Sequence, residues 1–243
     1  MDFSGKTVLV TGGAVGIGRA CAHRFAKQGA KVAIVDIDRE KLEIVKKELE
    51  GYAVETFVCD VSDEAKVNEV VKTCEKTLGT VDILINNAAI WRSFKDFCDI
   101  STEEWLMYLN INVMGTVYFS KAVLPKMCEN KFGRIINVAS VAGVYGNAAM
   151  VHYSATKGAV ISMTKALAKE VAEKGVTVNS VSPGTVSPAT EADMDYVKES
   201  PLSYMNRTGS GNENADLICF LASNEAGYIS GQNIQIDGCR KKI

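Results

Sequence analysis

The sequence predicts an α/β fold, a doubly wound parallel seven-stranded sheet with helices on both faces. Short runs rich in Val, Ile and Thr alternate with longer amphipathic segments almost from end to end, the pattern of strands joined by helical crossovers. No Pro/Ser-rich linker, charge block or internal repeat divides the 243 residues, so 1–243 reads as a single domain. A chain of this length buries a substantial core.

In chain order, strands are expected at Lys6–Val10, Lys31–Val35, Val54–Val58, Asp82–Ile85, Arg134–Val138, Thr177–Val181 and Asn233–Ile236. Each is a short β-branched run, as strands buried on both faces require. Between them, apolar residues recur at helical spacing over Gly18–Gln28, Arg39–Glu50, Glu64–Leu78 and Trp105–Cys128. Right-handed crossovers between these units give the doubly wound sheet. In such a sheet ligands bind beyond the carboxyl ends of the strands, which directs attention to the residues just after each one.

Composition narrows the function classes. Apolar residues make up 47% and charged residues 23%, with a net charge of −2, so the chain is neither disordered nor a polyanion binder, and nucleic acid is not an expected partner. No basic leader with a cleavage site precedes the first strand, and no apolar stretch is long enough for a membrane helix, so a cytoplasmic protein without a membrane partner is expected. The seven cysteines are odd in number and scattered, and only two histidines accompany them. Reduced, mostly buried thiols and no metal site are expected.

The first strand runs into Thr11-Gly12-Gly13-Ala14-Val15-Gly16-Ile17-Gly18. A helix starting near Gly16 aims its amides and positive dipole end at a pyrophosphate, and the glycines allow the close approach that a dinucleotide needs. Asp36 ends the second strand, eighteen residues after Gly18, where a carboxylate can accept from an adenosine ribose. Such a carboxylate repels a 2′-phosphate, and Val15 and Ile37 offer no cation, so NAD(H) is preferred. Arg39 leaves NADP(H) open. A second reading makes Asp36 the cap of the helix near Arg39. Asp60, after the third strand, is placed either to bond an adenine amino group or to form a turn. Asn86, after the fourth, either runs along the cofactor or satisfies loop backbone.

Ser140 ends the fifth strand, and a helix bearing Tyr153-Ser-Ala-Thr-Lys157 follows. Residues four apart share a helix face. A ketone accepting hydride develops alkoxide charge, so it needs a proton donor and fixed hydrogen bonds at that oxygen. Tyr153 is the expected donor, Lys157 the charge that lowers its pKa, and Ser140 the second hydroxyl on the substrate oxygen.

Over essentially its whole length the chain resembles the short-chain dehydrogenase/reductase family, whose fold is Rossmann-like. The resemblance rests on Thr11-Gly-Gly-Ala-Val-Gly-Ile-Gly18, Asp60-Val61, Asn86-Asn-Ala-Ala89, Asn112, Ser140, Tyr153-Ser-Ala-Thr-Lys157, Pro183-Gly184 and Ile236-Asp-Gly238. It implies a tetrad in which Tyr153 is the general acid/base, Lys157 lowers its pKa and binds the nicotinamide ribose, Ser140 polarises the carbonyl and Asn112 holds a relay water. It also implies cofactor contacts at Gly12, Val15, Gly16, Ile17, Asp36, Asp60, Val61, Asn86, Pro183, Gly184 and Val186. Substrate contacts fall on Trp91, Val141, Tyr145, Asn147 and Met150, with Arg92 placed to meet a carboxylate. His152 is expected to point elsewhere.

Three positions depart from the family pattern. Cys239 replaces a common glycine in the last turn, Ala89 another glycine, and Pro188 a threonine whose contact Ser187 or Thr190 would have to take over. Residues 188–206, with Glu191, Asp193, Asp195 and Glu199, form an expected lid. The implied activity is an oxidoreductase moving hydride between a nicotinamide and a ketone or secondary alcohol, such as a hydroxysteroid. NADP(H)-dependent 3-oxoacyl thioester reduction is the alternative, and a non-catalytic nucleotide-binding regulator a second. A homotetramer or homodimer is implied, paired through the helices at Trp105–Cys128 and Tyr153–Lys174.

Overall fold

The computed structural model describes residues 1–91, 93–187 and 193–241. Its strands are β1 (Thr7–Thr11), β2 (Lys31–Asp36), β3 (Val54–Val58), β4 (Ile83–Asn86), β5 (Gly133–Val138), β6 (Val176–Pro183) and β7 (Asn233–Ile236). They form one sheet in the order β3-β2-β1-β4-β5-β6-β7, with every neighbouring pair parallel. The winding reverses between β1 and β4, which opens a crevice at their carboxyl ends. Expected and observed strands differ by one or two residues at their ends. Asp82 lies outside β4 because its carboxylate accepts from the Thr7 N–H at 3.0 Å, at the lower edge of the ladder.

Helices α1 (Gly16–Lys27), α2 (Arg39–Glu48), α3 (Glu64–Thr77), α4 (Thr102–Leu109), α5 (Gly115–Glu129), α6 (Val141–Tyr145), α7 (Val151–Val171) and α8 (Gly211–Ala222) connect and cover the strands. Five of them, α2, α3, α4, α6 and α8, start at short polar side chains that satisfy first-turn amides. Asp38 accepts from Lys41 N at 3.1 Å, Asp63 from Lys66 N at 3.0 Å and Ser101 from Glu104 N at 3.2 Å. Ser210 and Glu213 exchange such bonds reciprocally in a capping box.

The helix expected from Trp105 to Cys128 is two helices. A π-turn over Asn110–Met114 separates α4 from α5. Apolar spacing cannot reveal a single wide turn, because the inserted residue leaves both flanking stripes intact.

Alternation along the strands divides the core. Val8, Val10, Ile34, Ile83 and Ile136 face one side with Phe25, Leu42 and Ile218 of α1, α2 and α8. Leu9, Val35, Leu84 and Ile135 face the other with Val71, Phe119 and Ala168 of α3, α5 and α7. Among the described residues, no helix is long and apolar enough to cross a membrane. Four cysteines, Cys21, Cys59, Cys74 and Cys219, are buried free thiols.

A polar network crosses the second layer. Asn86 Nδ2 donates to Ser120 Oγ at 3.1 Å and to Asn137 Oδ1 at 2.9 Å, and Asn137 Nδ2 donates to Thr164 Oγ1 at 2.9 Å. These buried bonds lock β4 and β5 to α5 and α7, with Asn137 and Thr164 fully buried. Replacing Asn137 with alanine leaves Asn86 and Thr164 short of partners and is expected to destabilise the fold by about 2 kcal/mol or more. Urea unfolding checks this; a change under about 0.5 kcal/mol would be the size of an ordinary surface substitution.

Candidate active site

The turn between β1 and α1 is pressed against the segment leaving β4. A Cβ on Gly12, whose φ is +61°, would lie 2.8 Å from Ala88 Cα, and one on Gly18 would lie 2.1 Å from the Gly12 carbonyl oxygen. Glycine is required at both by contact. Asn87 fastens the turn, its Nδ2 donating to Thr11 O at 3.1 Å and Gly12 O at 2.9 Å. Asn86, expected along the cofactor, has its side chain in the buried network instead. Neighbouring residues of a strand end face opposite sides, and Asn87 is the one lining the crevice.

At the start of α1, the N-cap Val15 contributes no side-chain acceptor and the first turn has no acidic residue. First-turn amides and dipole thus face the crevice, a fit for a pyrophosphate. Asp36 Oδ2 accepts from Ala14 N at 3.0 Å and Oδ1 from Asp38 N at 3.1 Å. The capping alternative is corrected: α2 is capped by Asp38, and Asp36 faces the crevice. Asp60 does form a turn, Oδ1 accepting from Ser62 N at 2.9 Å, and with Val61 it also lines the crevice.

One cavity of about 660 Å³ joins these residues to Ser140, Tyr153 and Lys157. Gly12, Val15, Gly16, Ile17, Pro183, Gly184 and Val186 line it as well. Ser140 caps α6, accepting from Ala142 N at 3.1 Å. Helix α6 lies directly on α7: a Cβ on Gly143 would come within 2.5 Å of the Lys157 carbonyl carbon. That approach brings the serine hydroxyl to the same cavity wall as the tyrosine, near enough to favour the phenolate.

Lys157 is 3% exposed, and its Nζ donates to Val138 O at 2.7 Å. Burial, with no carboxylate partner among the described residues, pushes its pKa down to about 8. The Tyr153 phenol moves opposite to expectation. Burial raises its pKa, and the neighbouring Ser140 hydroxyl only partly opposes this. Lys157 Nζ lies 5.9 Å from the ring centroid and is tied to a carbonyl, so desolvation outweighs the ammonium's pull.

The Asn112 side chain joins neighbouring segments. Its Oδ1 accepts from Ile90 N at 2.8 Å, while Nδ2 donates to Ile90 O at 3.0 Å and Thr156 Oγ1 at 3.1 Å. Thr156 Oγ1 in turn donates to Tyr153 O at 2.8 Å. Asn112 thereby ties the post-β4 segment to the first turns of α7.

At the substrate end, Trp91, Val141, Asn147 and Met150 line the cavity. Tyr145 does not. It is half exposed, and its hydroxyl donates to Gln235 Oε1 at 3.0 Å because α6 ends there and Gly146, at φ +77°, turns the chain away. His152 is fully buried against Tyr108, ring centroids 3.9 Å apart, and points away from the cavity. Arg92, Pro188, Thr190 and Glu191 lie outside the described residues. From 193 onward the expected lid folds back on itself, Lys198 O accepting from Thr208 N at 2.9 Å, and the Ser187 hydroxyl pairs with that of Thr208. Ile90, Phe94, Leu202 and Arg240 also line the cavity and belong to no motif.

Replacing Lys157 with methionine should therefore stabilise the fold near neutral pH while removing activity. Moving the ammonium's pKa from its ordinary value to about 8 corresponds to roughly 3 kcal/mol of penalty on the charged form. Below pH 8 the folded protein carries that penalty in full. Between about 8 and the unfolded value the native lysine is neutral while the unfolded one stays charged, so wild-type stability rises with pH and the gap closes. Urea titrations at pH 7 and pH 10 read this directly, and a variant less stable than wild type at pH 7 would contradict it.

The family model described as short chain dehydrogenase matches residues 6–200. The chain is 40% identical over 243 residues to the 3-oxoacyl-[acyl-carrier-protein] reductase FabG of Thermotoga maritima, covering 98% of each chain. It is 36% identical to the protein of that name from Escherichia coli K12, again over 98% of each. The crystal structure of 3-ketoacyl-(acyl-carrier-protein) reductase from Brucella melitensis complexed with NADH superposes with a TM-score of 0.89 at 32% identity, over 98% of each chain. That of gox2181 superposes with a TM-score of 0.90 at 30% identity, over 98% of this chain and 96% of the other. This chain belongs to the short-chain dehydrogenase family.

Proposed function

We propose that this oxidoreductase reduces 3-oxoacyl thioesters to 3-hydroxyacyl thioesters with NADH as the preferred hydride donor. The single observation that carries this is the continuity of one cavity from Asp36 and the glycine turn to the side chains of Ser140, Tyr153 and Lys157. The relatives favour the acyl thioester over a hydroxysteroid, since proteins alike over their full length are named as 3-oxoacyl-[acyl-carrier-protein] reductases.

A dinucleotide bound along Gly12–Ile17 supplies hydride at the nicotinamide end of the cavity. The rest of the chemistry belongs to side chains. The Tyr153 hydroxyl gives its proton to the carbonyl oxygen as negative charge develops there, and Ser140 holds the same oxygen with a second hydrogen bond. A phenol kept protonated by burial suits the reductive direction at neutral pH. Gly184 lets the post-β6 segment pass close to Asp237, where a Cβ would meet Asp237 Cα at 2.8 Å, leaving that wall flat for the nicotinamide ring. Asp36 supports the preference for NADH, because its carboxylate disfavours a 2′-phosphate. Exposed Leu106, Met107 and Leu109 on α4 support the homo-oligomer.

Replacing Tyr153 with phenylalanine should lower NADH-dependent reduction of a 3-oxoacyl thioester by about 10²–10⁴-fold while NADH still binds. Stopped-flow turnover beside fluorescence titration with NADH separates the two, and retained turnover would remove Tyr153 as the proton donor. Replacing Asp36 with alanine should reduce the NADH-over-NADPH ratio of kcat/KM by about tenfold, the scale of one lost charge-assisted hydrogen bond. An unaltered ratio would leave the carboxylate without that role.

A further inference from the structure

We propose that Arg240 recognises an oxyanion on the substrate, so that the site favours ketones carrying a carboxylate or a phosphate ester over neutral ones. The proposal rests on the keto-reductase reading of the cavity and names the chemistry at its far end.

Arg240 reaches the cavity through an unusual turn. After β7, Gly238 and Cys239 both adopt left-handed backbone, with φ of +62° and +58°. That conformation is disfavoured for a residue with a Cβ, so the Cys239 departure from the family pattern falls where the backbone is strained. Bonds on either side hold it: Met205 N donates to Gly238 O at 3.2 Å, Tyr204 N to Cys239 O at 2.9 Å and Lys241 N to Leu202 O at 3.0 Å. The tail thereby runs antiparallel to Ser203 and delivers the Arg240 side chain to the cavity wall.

Among the described residues, the guanidinium has one partner there. Nη2 donates to Asn147 Oδ1 at 3.3 Å, and the Asn147 N–H donates to the hydroxyl of Ser154, the residue after Tyr153, at 3.1 Å. Arg240 is thus held beside the first turn of the helix that carries the proton donor. Among the described residues it forms no ion pair. Nearby charges are otherwise engaged: Arg207 pairs with Glu213, and Asp195 accepts from Asn212 at 2.8 Å. Among the described residues, the other cation lining the cavity, Lys157, is bonded to Val138 O, and the carboxylates lining it, Asp36 and Asp60, lie at the nucleotide end.

Met150, Leu202, Trp91 and Phe94 line the same cavity as Arg240. A guanidinium in an apolar wall with a single neutral acceptor keeps most of its donors for a ligand, and its fork matches a carboxylate or phosphate with two parallel bonds. Two sources offer that chemistry: a carboxylate on the ketone's own skeleton, and the phosphate of a phosphopantetheine arm.

The test compares wild type with Arg240→Met and Arg240→Lys on three 3-oxo substrates: 3-oxobutanoate, 3-oxobutanoyl-CoA and the neutral N-acetylcysteamine thioester of 3-oxobutanoate. With NADH, the ratio of kcat/KM for an oxyanion substrate to that for the neutral thioester should fall about tenfold or more in Arg240→Met, with part of it kept in Arg240→Lys. A fall with 3-oxobutanoate alone identifies the carboxylate, and one with the CoA thioester alone identifies the phosphate. Equal losses on all three substrates, the signature of a purely structural tie to Asn147, would overturn the proposal, as would unchanged ratios. Titrating the NADH complexes with the same compounds by fluorescence reads the preference without turnover. If wild type reduces none of them, the reductase reading fails while the binding ratio still decides the role of Arg240.

Discussion

Parallel strands all open their carboxyl ends on one side of the sheet, and that constraint decides where chemistry can occur in this protein. Six of the seven strands contribute to one cavity, from the glycine turn after β1 to the flat segment after β6. The reversal between β1 and β4 leaves the gap in which a dinucleotide can lie. Side chains far apart in the chain, such as Asp36 and Tyr153, then share a wall without any contact between their own elements.

Within that frame, close approach of backbone does most of the positioning. Gly18 against Gly12 and Gly143 against Lys157 set distances that no side chain could adjust. Polar bonds complete the arrangement: Asn87 on the turn, Asn112 on Ile90 and Thr156, and Asn137 on Asn86 and Thr164. Asn112 and Asn137 thus hold the helix that presents Tyr153 while Asn87 holds the glycine turn, and the carboxamide suits the task because it donates and accepts at once.

The sheet was legible in the sequence because doubly buried strands read as continuous apolar runs and each crossover has its own helical period. The glycine turn, Asp36, Ser140 and the Tyr153–Lys157 pair were legible because their chemistry needs those residue types at those positions. What escaped the sequence was orientation. Asn86 and Asn87 are adjacent and alike, and only the strand's pleat decides which faces the crevice. Tyr145 looked like a pocket residue until the turn at Gly146 carried it to Gln235. The wide turn at Asn110–Met114 left no trace in the apolar pattern. Arg240 has no motif around it, and its place depends on two left-handed residues and a tail pairing formed only in the folded chain.

Lys157 has an implication for how such a chain changes over generations. A buried ammonium whose pKa is driven down to about 8 opposes folding at neutral pH, and an aliphatic side chain would fill the same volume without the penalty. Mutational drift acting on foldedness alone would tend to erase it. Its presence against the Val138 carbonyl, one helical turn from a phenol, is what selection for turnover leaves behind in a core that stability by itself would have made greasy.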